Sequence, residues 1–144
     1  ARMERDGAVW RLFGAEGAVL AEAEVVILAM GAKSTAFAPS LPLRPVRGQT
    51  SMAALPFTGA PAAWGGYAIP TREGLLFGAT HDRGDDAAEV REDDHARNLG
   101  FLAQGRPALA TRLAEQPLTG RAGVRAATPD HAPLAGRLGE GLFV

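Results

Sequence analysis

The sequence predicts an α+β fold, a mostly antiparallel mixed sheet with two consecutive helices. Three observations carry this. Short β-like runs separated by Gly and Pro recur up to Thr80, helical spacing takes over from about Asp93, and strand character returns at Leu118.

The elements follow in order. Ala8-Val-Trp-Arg-Leu-Phe13 and Ala18-Val-Leu-Ala21, around Gly14 and Gly17, read as a hairpin. Val25-Val-Ile-Leu-Ala-Met30, closed by Gly31, is a continuous apolar run of strand length, which suits a strand buried on both faces of a parallel sheet. Pro39 to Pro45 contains three prolines and reads as an extended linker between subregions. Val46 to Met52 alternates like a strand, with Gly48 marking a bulge or a close backbone approach. Pro56 to Gly66 reads as loop. Tyr67–Ile69 and Leu75–Thr80 form a second hairpin whose turn ends at Gly74.

Asp82 to Asp86 is a charged, Gly-broken loop. His95, Leu99 and Leu102 then fall on one helical face, and Gly105 supplies a stop. Pro107 suits the first turn of a second helix with Leu109 and Leu113 inward. Leu118 to Thr128 is a strand, Pro129 to Pro133 a turn, and the closing Gly-Leu-Phe-Val the start of another strand.

The chain has 144 residues, 47% hydrophobic and 22% charged, an ordinary globular composition. A net charge of −1 gives no long-range attraction to nucleic acid or anionic membrane, so such contacts rest on local patches. The absence of cysteine excludes disulfides, thiolate catalysis and Cys-ligated zinc. No apolar run is long enough to span a bilayer, and Ala1 to Trp10 lacks the apolar stretch of a signal peptide. The expectation is a soluble, cytoplasmic protein with no membrane partner. Both ends run straight into would-be strands, so a fragment of a longer chain is expected.

Arg125 is the most informative candidate. An arginine within a small, apolar strand needs a partner for its guanidinium, and a planar fork of donors matches a carboxylate at two points. A carboxylate clamp, an internal ion pair and an outward-facing arginine are the readings open at this level. His81, Asp82, Asp85, Asp86, Asp93, Asp94 and His95 lack zinc-site or EF-hand spacing, so no metal is expected and a solvated charged loop is favoured. Ser34, Ser40 and Ser51 lack a nucleophile elbow. His131, in a Pro-flanked turn, reads as structural.

The order Gly123-Val-Arg125, Thr128-Pro129-Asp130 and His131-Ala-Pro133, with Gly136 after it, resembles the C-terminal signature of the D-amino-acid-oxidase-like FAD oxidoreductases. Pro45-Val-Arg47-Gly48-Gln49 and Phe77-Gly-Ala-Thr-His81-Asp82-Arg83-Gly84-Asp85 look closer to a tRNA-modifying branch of that family. Val25 to Gly31 looks like the family strand that ends against FAD. Each piece alone is weakly specific, but together they cover nearly the whole chain in the right order.

This resemblance implies FAD as cofactor and residues 1–38 as strands of the FAD-binding domain. It assigns 39–137 to the substrate-binding domain and 138–144 to a returning FAD-domain strand. It implies oxidation of a C–N bond in a carboxymethylamino group carried on tRNA uridine. A free amino acid such as glycine, sarcosine or a D-amino acid is the alternative substrate, and a non-catalytic binding module the alternative role. An upstream methyltransferase domain would favour the tRNA enzyme. By the resemblance, Arg125 grips the substrate carboxylate and Tyr67 faces the flavin. Arg47 and Gln49 lie near the flavin ring, and Gly31 lets the backbone pass close to the cofactor. For Tyr67 a plain strand aromatic, for Gln49 a structural hydrogen bond and for Gly31 a simple strand end stand as alternatives. The dinucleotide fingerprint Gly-x-Gly-x-x-Gly is missing, so these residues alone should bind FAD poorly or not at all.

Overall fold

A computed structural model describes residues 1–144. The chain divides into two compact units, one of residues 1–44 and 126–144 and the other of residues 45–125. The sequence places these boundaries at 38/39 and 137/138. The observed division falls after Arg44 and after Arg125.

In the first unit, β1 (Arg2–Asp6), β2 (Val9–Phe13) and β3 (Val19–Ala23) form an antiparallel meander. Asp6 pairs with Val9, so Gly7 and Ala8 make a two-residue turn, and Gly7 takes the positive φ of 59° that such a turn requires. β4 (Val26–Ile27) pairs in parallel with β12 (Leu142–Phe143), and β12 pairs antiparallel with β11 (Arg137–Gly139). Leu28, Ala38, Leu41 and Leu142 form a small core, with Trp10 and Phe37 packed on it.

The expectation for Val25 to Met30 needs correction. The pairing is parallel, as the apolar run suggests, but only Val26 and Ile27 are strand, and Val25 and Ile27 are 56% and 68% exposed. β4 has one strand neighbour and lies at the edge of its sheet, so its second side is uncovered in this chain. A 3-10 helix over Gly31–Ala36 follows it, which the sequence reading does not foresee.

The second unit is a six-stranded sheet with helices against one face. Its strands are β5 (Arg44–Ala53), β6 (Ala62–Ala63), β7 (Tyr67–Pro70), β8 (Leu75–Gly78), β9 (Asp82–Arg83) and β10 (Leu118–Ala127). The order is β10-β5-β8-β7-β6, with β9 pairing to β5 beyond the end of β8. The short β6 and β9 lie in segments that read as loop in the sequence.

Helix α1 (Glu92–Gly105) begins with Glu92, Asp93 and Asp94, carboxylates that suit the positive end of the helix dipole. Helix α2 (Pro107–Leu113) follows at once, with Pro107 in its first turn where no N–H is needed. Gly105 is required by packing, since a Cβ there would lie 2.4 Å from the Trp64 ring. Leu75, Phe77, Leu102, Leu109 and Leu113 fill the core between helices and sheet.

Candidate active site

Strand parity builds the site. Along β5, Arg47, Gln49, Ser51 and Ala53 are buried, whereas Gly48, Thr50 and Met52 between them are only partly so. Side chains alternate across a strand, so the first set lies on the helix face and the second on the face away from the helices. Thr50 pairs with Gly78 and Gly78 with Tyr67, which puts Tyr67 on the same face as Thr50. On β10, a Cβ at Gly120 would strike His95 of α1, so Gly120 is on the helix side; Thr119, Arg121, Gly123 and Arg125 have the other parity and are exposed.

That second face carries a cleft of about 760 Å³, lined among others by Gly48, Thr50, Tyr67, His81, Gly123 and Arg125. Its floor is largely backbone. A Cβ at Gly65 or Gly123 would meet no atom within 4 Å, and Gly48 lies so close to Thr80 O that its Cβ would be 3.0 Å away. Arg125 and Tyr67 therefore come together on one cleft. The Arg125 guanidinium is exposed, and its Nη2 lies 2.9 Å from His81 Nδ1. A guanidinium only donates, so His81 accepts at Nδ1 and its ring proton sits on Nε2. The partner of Arg125 is a neutral acceptor, and its positive charge is not cancelled there.

Arg47 and Gln49 belong to a different environment. The Arg47 side chain is fully buried, pairs with Asp94 and donates from Nη2 to Gln49 Oε1 at 2.8 Å and Glu89 O at 2.6 Å. Gln49 Oε1 also accepts from Arg91 N, and its Nε2 donates to Arg91 O, both at 2.8 Å. These hydrogen bonds tie both side chains to α1 and the segment before it. Arg47 nevertheless borders the cleft, together with Val46 and Gly48.

Ser51 Oγ lies 2.7 Å from His95 Nδ1 and accepts from Asn98 Nδ2 at 2.9 Å. All three residues are buried on the helix face, where they join α1 to β5.

The acidic loop is absorbed by arginines. Asp82 meets Arg97 at 2.8 and 2.9 Å, and that guanidinium is the main reason its carboxyl is held below the usual carboxylate range. Asp85 is lowered first by Arg91, and Glu89 first by its own backbone N–H and then by Arg91. In the turn after β10, Asp130 is lowered first by the Ala132 N–H, which donates to it at 3.1 Å.

In the first unit, Gly31 has φ of 58° and is exposed. It borders a cleft of about 290 Å³ with Ile27, Leu28, Ser34, Leu43 and Ala126, and the nearest atom to a Cβ built on it is Ala126 Cβ at 3.9 Å. A positive φ and open space, here at the first residue of the 3-10 helix, are what a close backbone approach to a ligand requires.

Sequence reasoning missed His81 as a site residue, placing it within a solvated loop. The available signal was Arg125 itself: an unpaired guanidinium on a strand asks for an acceptor, and His81 follows the Gly-Ala-Thr stretch that closes the hairpin.

The cleft brings glycines, an exposed arginine and an aromatic side chain onto one face of the sheet. The family model for FAD dependent oxidoreductase (DAO) matches residues 1–144, and the chain belongs to that family.

Among its relatives is the tRNA 5-methylaminomethyl-2-thiouridine biosynthesis bifunctional protein MnmC of Caulobacter vibrioides, 56% identical over all of this chain and 24% of that protein. The protein of the same description from an Azoarcus species is 44% identical over 88% of this chain and 21% of that one. The chain therefore spans about a quarter of the length of the curated relatives it matches. Among solved structures, glycine oxidase from Geobacillus kaustophilus superposes with a TM-score of 0.77, at 26% identity, over 98% of this chain and 40% of that one.

The residues present fit part of the family's cofactor. Open backbone at Gly65 and Gly123 leaves room for a flat ring, and Gly31 leaves room at the start of the 3-10 helix. No glycine-rich phosphate fingerprint occurs in these 144 residues, so the cradle for a pyrophosphate is not among them.

Proposed function

We propose that this chain supplies the substrate-facing sheet of an FAD-dependent oxidoreductase that removes the carboxymethyl group from 5-carboxymethylaminomethyl-(2-thio)uridine in tRNA. The observation that carries the reading is Arg125, exposed on a glycine-floored cleft with a neutral partner and donors to spare. The MnmC relatives, named for a step in making a tRNA uridine, support the substrate class.

In this reaction the substrate's carboxymethyl carbon loses a hydride and its amine nitrogen a proton, so that a C=N bond forms. Water then adds to that carbon, glyoxylate departs, and the nitrogen stays on the uridine as an aminomethyl group. FAD, when bound, takes up the hydride, and the two electrons leave to an acceptor such as dioxygen. Arg125 holds the carboxylate at two points and so fixes which carbon faces the cofactor. Tyr67 forms part of the wall against which the substrate rests. Gly31 offers a point of close backbone approach to FAD, and Arg47 and Gln49 tie β5 to α1 and the segment before it. tRNA is the macromolecular partner, and a cytoplasmic location accords with it; no helix of the chain is long and apolar enough to cross a membrane.

The test uses the intact protein with tRNA bearing the carboxymethylaminomethyl group, and reads glyoxylate release. Arg125→Leu should raise KM by about 100-fold, the scale of a lost charge-assisted pair. Arg125→Lys should recover only part of that, since an ammonium cannot copy the fork. An unchanged KM in Arg125→Leu sinks the clamp. The similarity to glycine oxidase favours a second reading, oxidation of a small free amino acid. Faster turnover of free glycine or sarcosine than of the modified tRNA would establish that one instead.

A further inference from the structure

We infer that His81 is a positioning residue for Arg125: it accepts one N–H of the guanidinium at Nδ1 and thereby turns the remaining donors toward a carboxylate in the cleft. This rests on the clamp reading of Arg125. Its own support is geometric. An exposed arginine side chain has several rotatable bonds, and fixing it at the moment of binding costs part of the affinity gained. A partner that holds the fork beforehand removes part of that cost, provided it leaves the charge uncompensated. An acidic partner would fail that condition, because it would compete with the ligand. A neutral imidazole nitrogen at 2.9 Å meets it.

The backbone that carries this exposed imidazole is held on both sides of His81. Before it, Thr80 N donates to Gln49 O at 3.1 Å and Thr80 Oγ1 accepts from Gln49 N at 3.0 Å. After it, Asp82 stands opposite Arg47 in the β9–β5 register, and its carboxylate takes both Arg97 Nη atoms. Arg47 and Gln49 thus contribute to the site at one remove, by clamping the segment that presents His81. The accepting role also fixes the tautomer, with the proton on Nε2.

The experiment compares His81→Leu, His81→Asn and Arg125→Leu in the intact, flavin-loaded protein. Asn is the conservative variant because its Oδ1 offers an acceptor near the place of Nδ1. The readout is acetate binding by calorimetry, with acetamide as the uncharged control, alongside the thermal midpoint. His81→Leu should weaken acetate about tenfold, His81→Asn should return it to within about twofold of the parent, and acetamide should bind alike to all three. Acetate affinity unchanged in His81→Leu overturns the inference, as does a His81→Asn variant as weak as His81→Leu. If Arg125→Leu loses acetate and His81→Leu does not, the positioning role alone falls. If Arg125→Leu binds acetate normally, the clamp reading falls and takes this inference with it.

Discussion

Arg47 and Asp94 form an ion pair from which water is almost wholly excluded, with side-chain exposures of 0% and 4%. The pair joins β5 to the first turn of α1, and Gln49 and the Glu89 carbonyl accept from the other terminal nitrogen of the guanidinium. Replacing Arg47 by Leu leaves the buried Asp94 carboxylate with Arg97 alone, at 2.8 Å, which should cost about 3 kcal/mol. The double change Arg47→Leu, Asp94→Leu should recover a substantial part of it, because two apolar side chains leave no stranded charge. Denaturant unfolding of the intact protein reads both, and a double variant no better than the single one contradicts this account.

Ser51 sits between two groups that depend on it. It meets His95 Nδ1 on one side and accepts from Asn98 on the other. Ser51→Ala removes the partner of His95 Nδ1 and leaves Asn98 Nδ2 with the Gln49 carbonyl alone, and should destabilise by about 1–3 kcal/mol. The helix face is separate from the cleft, so acetate affinity of the folded protein should not change. Equilibrium unfolding and calorimetry on the same sample test the two halves.

Filling the floor of the cleft should do the opposite. A Cβ at Gly123 meets no atom within 4 Å, and its φ is not in the positive range. Gly123→Leu should therefore leave stability within about 0.5 kcal/mol, as for other exposed positions. The added side chain would occupy ligand space, so acetate binding and turnover should fall together. Normal binding in a stable Gly123→Leu variant means that the ligand lies elsewhere.

The pH dependence follows from the carboxylates of the acidic loop. Asp82 and Asp85 are both lowered, chiefly by hydrogen bonds from Arg97 and Arg91 respectively. A carboxyl depressed on folding stabilises the native state above its unfolded value, and that contribution is lost as pH falls through the folded value. Stability should thus decline on acidification from about pH 5 downward. Arg97→Leu should flatten the decline, since Asp82 would then titrate nearer its ordinary value. Because Arg97 is 44% exposed, the flattening should be modest and should shrink in high salt. Denaturant midpoints across the acid range, with and without salt, check it.

Much of the architecture was legible from local pattern. The helix face of His95, Leu99 and Leu102 is turned inward, and Pro107 opens α2 as its fixed φ allows. The hairpin over Tyr67 to Gly78 and the strand from Leu118 also follow from alternation and turn glycines. The short strands β6 and β9 were not legible, since two residues carry no period and exist only because a longer strand offers its edge.

The amino-acid sequence by itself determined which residues alternate along β5 and β10, because side-chain direction has a period of two in any strand. It could not say which alternate set is dry. That was decided by α1, which lies against one face of the sheet and claims Arg47, Gln49 and Ser51, leaving Gly48, Thr50, Tyr67 and Arg125 on the other. The pairing of Arg125 with His81 is likewise tertiary: 44 positions separate them, and only the β9–β5 register brings the imidazole to the cleft.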